Sequence, residues 1–447
     1  MTEPIISVSG LRGIVGQSLT PEIARRYAAA FVATLPLGAI VITRDGRASG
    51  PQLAETLRQT ITATGRDCLD GGTAATPTTG ILVREHKAAG GIQISASHNP
   101  AEYNGLKLFS AHGRVLSATA GQKVLNFYRD QNFSPLEVPR VGQARELDDP
   151  IARHIKKVLR CVNVERIRAR GFRVLLDANH GAGSVVGRPL LERLGCEVVV
   201  VGGQPDGQFA HTPEPTAENL ATIRPQVGRG AVDVGFCQDP DADRLAVIDE
   251  RGRYLGEEYT LALCVDHRLR SSPGAVVTNC STSRMSEDLA EKYGVPFYRS
   301  AVGEANVVDQ LLDHGAVLGG EGNGGVIDLR VGLVRDSLVG MALLLDAMSN
   351  RQMPISSLAA ELPRYEICKT KINLPSERVP AALNTIERHF RDAHADRLDG
   401  LRLDWPGRWL LVRASNTEPV VRAIAEAATA EEAERLCHDA AAVLENI

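Results

Sequence analysis

Three aspartates alternate along one short stretch of the chain, F-C-Q-D-P-D-A-D-R-L-A-V-I-D (236–249). If this stretch is extended, Asp239, Asp241 and Asp243 place their carboxylates on one side of the backbone. Three like charges held this close repel one another unless a cation lies between them. Carboxylate oxygens suit Mg²⁺ or Ca²⁺ better than zinc. Arg244 follows directly, and a guanidinium can bind phosphate through two hydrogen bonds.

The same acidic stretch has other interpretations, of which a solvated acidic turn is the plainest. An EF-hand fits the position of Glu250, but Arg244 stands where that loop needs glycine, and the apolar run after it predicts a strand. An enzyme that forms a phosphoaspartate would use one of the aspartates as its nucleophile. On these residues alone, metal binding and phosphoaspartate chemistry both remain open.

A second polar stretch, I-S-A-S-H-N-P (94–100), follows an apolar run typical of a strand. Serine in such a place is most often a turn former. No G-x-S-x-G sequence surrounds Ser97, so acyl transfer has little support. A serine that accepts and donates phosphate would need a metal ion and basic groups to neutralise charge. The aspartates could supply the metal, and Lys107 in Y-N-G-L-K could supply a cation.

Two more stretches contain groups that suit a phosphorylated sugar. R-A-S-N-T-E-P-V-V-R (413–422) combines arginines, hydroxyls and an amide, as a phosphate clamp would. G-G-E-G-N-G-G-V-I (319–327) is rich in glycine, which lets a backbone approach a ligand closely. Its Glu321 and Asn323 can form hydrogen bonds with sugar hydroxyls. The stretch lacks the residue order of a nucleotide P-loop.

Short apolar strands alternate with helices along most of the chain. T-P-E (20–22) begins a helix, with threonine as the N-cap and proline in the first turn. A buried strand, GAIVIT (38–43), should follow. Strand, polar loop and helix recur from residues 172 and 275, which predicts doubly wound α/β domains with functional loops at strand ends. WLLVRAS (409–415) and VVRAIAEA (420–427) instead predict antiparallel strands of a small α+β domain after a boundary near 365–372.

Composition narrows the function classes. A chain of 447 residues predicts about three domains, and its net charge of −4 gives no electrostatic reason to expect nucleic acid as a partner. No apolar run approaches the roughly 20 residues that cross a bilayer, and the N-terminus has no basic and apolar segments of a secretory signal. The eight cysteines are scattered without a CxxC pair, as expected for reduced thiols in the cytoplasm.

Together these stretches resemble the motifs of the α-D-phosphohexomutases, the superfamily of phosphoglucomutase/phosphomannomutase and phosphoglucosamine mutase. The matching motifs follow the family's order over nearly the whole chain: S-G-L-R-G (9–13), I-S-A-S-H-N-P (94–100), Y-N-G-L-K (103–107), D-P-D-A-D-R (239–244), G-G-E-x-N-G (319–324) and R-A-S-N-T-E-P (413–419). The resemblance implies three tandem α/β/α domains with mixed sheets and a small α+β C-terminal domain. We expect these four domains at 1–150, 151–252, 253–366 and 367–447.

The resemblance also implies a mechanism. Ser97 would be an exposed phosphoserine that gives its phosphoryl group to a hexose phosphate, forming a bisphosphorylated sugar that reorients and returns the other phosphate. Mg²⁺ would be held by Ser97 and by the three aspartates, Asp239, Asp241 and Asp243. Arg12, Lys107, His98 and Arg244 would complete the catalytic group. The substrate would be bound by seven residues of the other two motifs: Glu321, Asn323, Arg413, Ser415, Asn416, Thr417 and Arg422.

Two departures from the family pattern bear on the sugar. Many members carry Glu-x-Ser-Gly-His in the sugar motif, whereas this chain has Asn323 in place of serine and Gly325 in place of histidine. Asparagine there resembles mutases that act on N-acetylglucosamine phosphate. We therefore expect a phosphoglucosamine mutase, with phosphomannomutase/phosphoglucomutase as the second candidate and a non-catalytic sugar-phosphate binding protein as the third. The expected partners are a hexose phosphate substrate and a hexose bisphosphate activator, without nucleic acid or membrane, for a monomer or homodimer.

Overall fold

The computed structural model describes residues 3–7, 10–130, 140–414 and 420–445. These residues form four β-sheets that succeed one another along the chain. We call the surrounding segments units 1 to 4, at residues 5–146, 152–249, 257–360 and 366–445. Units 1 to 3 combine helices with mixed sheets, and unit 4 combines helices with an antiparallel sheet, which confirms the fold class predicted from the sequence. No helix within these ranges is both long and apolar enough to cross a bilayer.

Unit 1 contains a seven-stranded sheet. Its strands are β1 (Ile5–Ser7), β2 (Gly10–Ile14), β3 (Ile40–Arg44), β4 (Cys68–Thr73), β5 (Gly90–Ile94), β6 (Tyr103–Ser110) and β7 (Ala144–Glu146). Its helices are α1 (Pro21–Ala33), α2 (Gly50–Ala63), α3 (Thr76–Glu85) and α4 (Ala118–Arg129). The strand order is β1-β2-β6-β5-β3-β4-β7, in which β5, β3, β4 and β7 run parallel and β2 and β6 pair antiparallel. As predicted, the hydroxyl of Thr20 caps α1 by accepting the Ile23 N–H.

Unit 2 contains a four-stranded sheet. Its strands are β8 (Arg173–Asp177), β9 (Glu197–Val201), β10 (Val234–Gln238) and β11 (Leu245–Asp249). Its helices are α5 (Ala152–Leu159), α6 (Val164–Arg170), α7 (Gly183–Arg193) and α8 (Arg224–Arg229). In the order β11-β10-β8-β9, only β11 is antiparallel to its neighbour, because it is joined to β10 by the short loop that carries the three aspartates.

Unit 3 repeats this plan with a second four-stranded sheet. Its strands are β12 (Val276–Asn279), β13 (Phe297–Ser300), β14 (Leu318–Glu321) and β15 (Gly325–Ile327). Its helices are α9 (Glu257–Ser271), α10 (Met285–Lys292), α11 (Glu304–Asp313), α12 (Ser337–Arg351) and α13 (Ile355–Ala360). In the order β13-β12-β14-β15, only β15 is antiparallel, and the short loop before it carries the glycine-rich sugar motif.

Unit 4 is a five-stranded antiparallel sheet with helices. Its strands are β16 (Glu366–Asn373), β17 (His394–Asp396), β18 (Leu401–Trp405), β19 (Arg408–Ala414) and β20 (Val420–Ala427). Its helices are α14 (Val379–His389) and α15 (Ala430–Glu445), with a 3₁₀ turn at Ser376–Arg378. The order is β16-β20-β19-β18-β17.

The two faces of β19 pack against different partners, because side chains alternate along a strand. Leu410 and Val412 join the core beneath the helices of unit 4, whereas Trp409 and Leu411 pack with Cys280 of unit 3. The Trp409 indole is fully buried and donates to a carboxylate oxygen of Glu426 at 2.7 Å. Unit 4 therefore docks on unit 3 through the face of its sheet that its own helices leave open.

Candidate active site

Loops from units 1, 2 and 3 meet in one buried cluster of polar side chains. Ser97 follows β5, and its Oγ donates to Oδ2 of Asp239, which follows β10, at 2.9 Å. Lys107 on β6 and Arg335 before α12 both reach Asp243. The carboxyl ends of parallel strands meet at one edge of a sheet, which is where α/β proteins build their ligand sites. Residues far apart in sequence thus share one polar centre.

Ser97 itself is held in a strained conformation. Its φ of 51° lies in the left-handed region, which costs a non-glycine residue roughly 1–2 kcal/mol. Its N–H donates to the hydroxyl of Ser95 at 2.8 Å, and that hydroxyl donates to Asp45 at 2.6 Å. The sequence led us to expect an exposed Ser97, but the residue is 1% exposed because its hydroxyl points inward at Asp239. A phosphate on Ser97 would take the place of that hydrogen bond.

Arg47, which the sequence analysis missed, fixes the path of the Ser97 loop. Its buried guanidinium is paired with Asp45, Nε to Oδ2 at 3.1 Å. Its Nη atoms donate to four backbone carbonyls at 2.6–3.0 Å, those of Ser97, Asn99, Pro100 and Tyr103. The segment R-D-G-R (44–47) begins at the last residue of β3, and β3 is the parallel neighbour of β5. The loops that follow these two strands therefore adjoin, and this was the signal that could have identified Arg47.

The three aspartates of unit 2 form a group that could hold a metal ion. They are fully buried, and one carboxylate oxygen of each lies within 4.8 Å of the others. Ala242 has a φ of 54°, which turns the chain between the last two aspartates. Oδ1 of Asp241 and Oδ1 of Asp243 are buried without a hydrogen-bond partner. Because unpaired buried carboxylate oxygens are costly, these two atoms fit a hard cation as ligands.

Basic side chains surround the aspartates. Lys107 Nζ donates to Oδ2 of Asp241 and Oδ2 of Asp243, each at 2.9 Å. Burial disfavours the charged ammonium, but these two carboxylates outweigh it and raise the pKa of Lys107. Arg244 lies 3.9 Å from Oδ2 of Asp239 and from Oδ1 of Asp243. Lys107 is therefore a cation here and not a free base.

The remaining members of the predicted catalytic group lie beside the Ser97 loop. Arg12 on β2 donates from Nη1 to the side-chain carbonyl of Asn99 at 3.0 Å, and burial lowers its pKa despite nearby Asp241. His98 Nδ1 lies 3.4 Å from Ser97 Oγ. Arg244, burial and Arg12 together lower the pKa of His98 to about 2, so its imidazole is neutral at physiological pH. The structure thus gathers all five predicted catalytic residues, Ser97, His98, Arg12, Lys107 and Arg244, around the aspartates.

The sugar motif approaches the aspartates from unit 3. Glu321 is 4% exposed and accepts from Asn279 Nδ2 at 2.7 Å and from Arg335 Nη1 at 2.6 Å. The backbone carbonyl of Gly324 accepts the Leu245 N–H, which joins the motif to the strand after the aspartates. Asn323 is half-buried, and its side-chain carbonyl oxygen has no hydrogen-bond partner. Asn323 therefore keeps an acceptor for a ligand, whereas Glu321 is already engaged.

The predicted phosphate clamp lies in unit 4. Arg413 on β19 stands opposite Arg422 on β20 in the sheet register, and Arg413 Nε lies 3.2 Å from Asp399 Oδ2. Ser415, Asn416 and Thr417 lie outside the described residues. The two clamp arginines thus lie side by side where β19 ends and β20 begins.

Comparisons with known proteins agree with this architecture. Models of the phosphoglucomutase/phosphomannomutase family match alpha/beta/alpha domain I at 5–134, domain II at 152–252, domain III at 257–365 and the C-terminal domain at 373–443. The chain belongs to this family. Membership in the α-D-phosphohexomutase superfamily, predicted from the motifs, is thereby confirmed.

Relatives of this phosphohexomutase family member carry two names. A phosphoglucomutase/phosphomannomutase of Thermococcus kodakarensis is 36% identical over 95% of this chain and 94% of its own length. A protein of the same organism named "Probable phosphoglucosamine mutase" is 34% identical over 96% of this chain and 95% of its own. The solved structure of a phosphoglucomutase/phosphomannomutase family protein from Burkholderia thailandensis superposes with a TM-score of 0.86 at 26% identity, covering 99% and 97% of the two chains.

The Arg47 contacts make a prediction about the Ser97 loop of this phosphohexomutase. Arg47→Lys keeps the charge but cannot reach four carbonyls, so Ser97 should be misplaced. We expect kcat for a hexose phosphate to fall by about 10- to 100-fold with a smaller change in KM. Arg25→Lys, at an exposed ion pair on α1, is the control and should leave both constants unchanged. An unchanged kcat in Arg47→Lys would show that the loop holds its shape without the guanidinium.

Proposed function

We propose that this chain moves phosphate between C6 and C1 of a hexose phosphate, with glucosamine phosphate as the sugar. Membership in the family makes it an isomerase of the intramolecular phosphotransferase type. One observation carries the proposed mechanism: a strained serine hydroxyl lies 2.9 Å from a buried group of three aspartates. A non-catalytic sugar-phosphate binder, the third candidate, would have no use for a phosphate carrier beside a group of buried carboxylates.

Ser97 is the phosphate carrier in this proposal. Its phosphoserine gives the phosphoryl group to a hydroxyl of the hexose monophosphate, which becomes a bisphosphate. The sugar then reorients and returns its other phosphate to Ser97, so the enzyme ends as it began. Arg244 and His98 flank the transferred group, and the neutral imidazole of His98 can donate a hydrogen bond without adding charge.

Mg²⁺ is the proposed metal ion, held by Asp239, Asp241, Asp243 and the Ser97 phosphate. All of these ligands are carboxylate or phosphate oxygens, which are the hard donors that this cation prefers. When bound, it supplies positive charge that stabilises the transferring phosphoryl group. The two carboxylate oxygens without partners support this assignment.

Lys107 and Arg12 are the proposed groups for acid and base work on the sugar hydroxyl. Lys107 is the better of the two, because an arginine side chain, with a pKa above roughly 12 in water, keeps its proton at physiological pH. For Lys107 to accept a proton, its contacts with Asp241 and Asp243 must weaken, because they hold it as an ammonium. Arg12 acts in this proposal through charge and hydrogen bonding.

The substrate is proposed to bind between unit 3 and unit 4. Glu321 and Asn323 bind sugar hydroxyls, and the clamp holds the phosphate that is not transferred, through Arg413, Ser415, Asn416, Thr417 and Arg422. A hexose bisphosphate would load Ser97 and act as the activator. We also propose that the domains extend over 1–150, 151–252, 253–366 and 367–447. In this proposal the third and fourth domains carry the two binding motifs on opposite sides of the substrate.

Removing the carrier hydroxyl tests the mechanism. Ser97→Ala should abolish nearly all turnover but leave hexose phosphate affinity within a few fold, because the proposed sugar contacts lie on other loops. Intact mass and fragmentation of the wild-type protein should place one phosphate on Ser97. Ser271→Ala, at an exposed position on α9, is the control and should behave as wild type. Phosphate that is labile to hydroxylamine and maps to Asp239 or Asp241 would instead establish phosphoaspartate chemistry.

Metal removal tests the acidic group. A chelator should abolish turnover of a hexose phosphate, and Mg²⁺ should restore it. Asp241→Asn should weaken Mg²⁺ binding by roughly tenfold or more, because the charge of the ligands sets the affinity. Asp309→Asn, a half-exposed carboxylate paired with Arg114, should leave Mg²⁺ binding unchanged in the same calorimetric titration. Full turnover in excess chelator would refute the assignment.

Asn323 tests the choice of sugar. Its amide offers both a donor and an acceptor, and the acceptor lies without a partner. Asn323→Ser should shift the preference away from glucosamine phosphate towards glucose or mannose phosphate. One lost hydrogen bond in a buried site corresponds to roughly 1–2 kcal/mol, or about 5- to 30-fold in relative kcat/KM. A wild-type preference for mannose or glucose phosphate, or an unchanged ranking in the variant, would make phosphomannomutase/phosphoglucomutase the function.

A further inference from the structure

The guanidinium of Arg335 lies between the loop of unit 2 that carries the three aspartates and the glycine-rich sugar motif of unit 3. Its Nη2 donates to Oδ2 of Asp243 at 2.8 Å, and its Nη1 donates to Oε2 of Glu321 at 2.6 Å. Its side chain is 10% exposed. One buried planar cation is thus shared by a carboxylate of each loop.

Arg335 contacts one oxygen of each carboxylate, and the second oxygens of the two carboxylates differ in their partners. Oδ2 of Asp243 is held by Arg335 and Lys107, while Oδ1 has no hydrogen-bond partner. In Glu321, Oε2 is held by Arg335, and Oε1 accepts from Asn279 and from the Gly303 N–H. Arg335 therefore occupies one oxygen of Asp243 and leaves Oδ1 without a partner, and it helps Asn279 and Gly303 to hold the Glu321 carboxylate.

Gly325 provides the space that Arg335 occupies. A Cβ at position 325 would lie 2.2 Å from Cδ and 2.7 Å from Cγ of Arg335, and 3.0 Å from Oδ1 of Asn323, so a side chain there would displace the arginine and crowd Asn323. This is the glycine that stands where the family motif, from the resemblance noted in the sequence, would have histidine. The backbone on the other side is fixed as well, because the Arg335 N–H donates to Glu304 and Asp336 caps α12. The lack of a side chain at position 325 therefore leaves the space in which the buried arginine lies.

We propose that Arg335 is a positioning residue that aligns Asp243 for the metal ion and Glu321 for the sugar, and so couples the two sites. The proposal rests on the proposed function for the identity of the sugar ligand, and on the geometry above for the rest. Partners that orient ligating carboxylates typically change metal affinity by about 10- to 100-fold when they are lost. Glu321 is not a proposed metal ligand. Replacing its carboxylate with an uncharged amide should therefore change Mg²⁺ binding through Arg335.

Three variants test the alignment. Arg335→Gln removes the charge, Arg335→Lys keeps the charge but loses the two-armed contact, and Gly325→Ala displaces an unchanged arginine. Gly332→Ala is the matched control, since a Cβ there would meet only Ile81 at 3.9 Å. We expect Arg335→Gln and Gly325→Ala to weaken Mg²⁺ binding about tenfold or more in calorimetry without sugar, and to raise KM for glucosamine 6-phosphate by about 5- to 30-fold. Arg335→Lys should keep the wild-type value of at most one of these two constants, the Mg²⁺ dissociation constant or KM.

A double-mutant cycle tests the coupling itself. Glu321→Gln should change the Mg²⁺ dissociation constant in the wild-type background, and this change should shrink or vanish in the Arg335→Gln background. An equal change in both backgrounds would show that Glu321 acts only through its charge, and would overturn the coupling. A change in only one of the two constants, or in neither, for folded Arg335→Gln and Gly325→Ala proteins would overturn the alignment.

The outcomes separate this proposal from the proposed function. If the wild-type protein turns over no hexose phosphate, the function fails, while the Mg²⁺ titrations and the cycle still decide the role of Arg335. Circular dichroism and thermal melting identify a variant that does not fold. Should Arg335→Gln be such a variant, Gly325→Ala decides the alignment, and the cycle is run with Gly325→Ala in its place.

Discussion

The burial of three carboxylates in one loop is the constraint on which the rest of this structure depends. Each buried anion costs several kcal/mol unless cations and hydrogen-bond donors compensate it. The compensation here comes from other parts of the chain: Lys107 from β6, Thr76 from α3 and Arg335 from before α12. Units 1, 2 and 3 must therefore be assembled before the acidic loop is stable. The group of three aspartates thereby also acts as a joint between the three units.

The same balance shifts the pKa values of two of the aspartates in opposite directions. Burial and the neighbouring carboxylates raise the pKa of Asp239, whereas the contacts of Asp241 with Lys107 and Thr76 outweigh its burial and lower the pKa of Asp241. The two aspartates in contact with Lys107 each keep one buried carboxylate oxygen without a hydrogen-bond partner, Oδ1 of Asp241 and Oδ1 of Asp243.

The sequence predicted what depends on local pattern. Alternating acids, caps and apolar runs are properties of neighbouring residues, so the helix after Thr20, the strands β19 and β20 of unit 4 and the group of three aspartates could all be foreseen. Arg47 and Arg335 were not singled out, because their roles also depend on contacts between distant parts of the chain, 50 residues apart for Arg47 with Ser97 and 92 for Arg335 with Asp243. Gly325 was noticed only as a missing histidine. The structure shows that the side chain of Arg335 fills the space beside Gly325.

A second cluster in the chain shows why geometry alone does not identify a site. Thr78, His154 and Asp336 form a buried chain of hydrogen bonds at 2.9 and 2.7 Å, with the residue types and spacing of a nucleophile, a base and an orienting acid. Yet both imidazole nitrogens are paired, and Oδ1 of Asp336 accepts N–H groups at the start of α12. This network is complete, and it ties α3, α5 and α12 together. The Ser97 cluster differs in the carboxylate oxygens that it leaves without partners. Since a buried polar atom without a partner is costly, incompleteness of this kind indicates a ligand, whereas a satisfied network of equal geometry indicates a structural role.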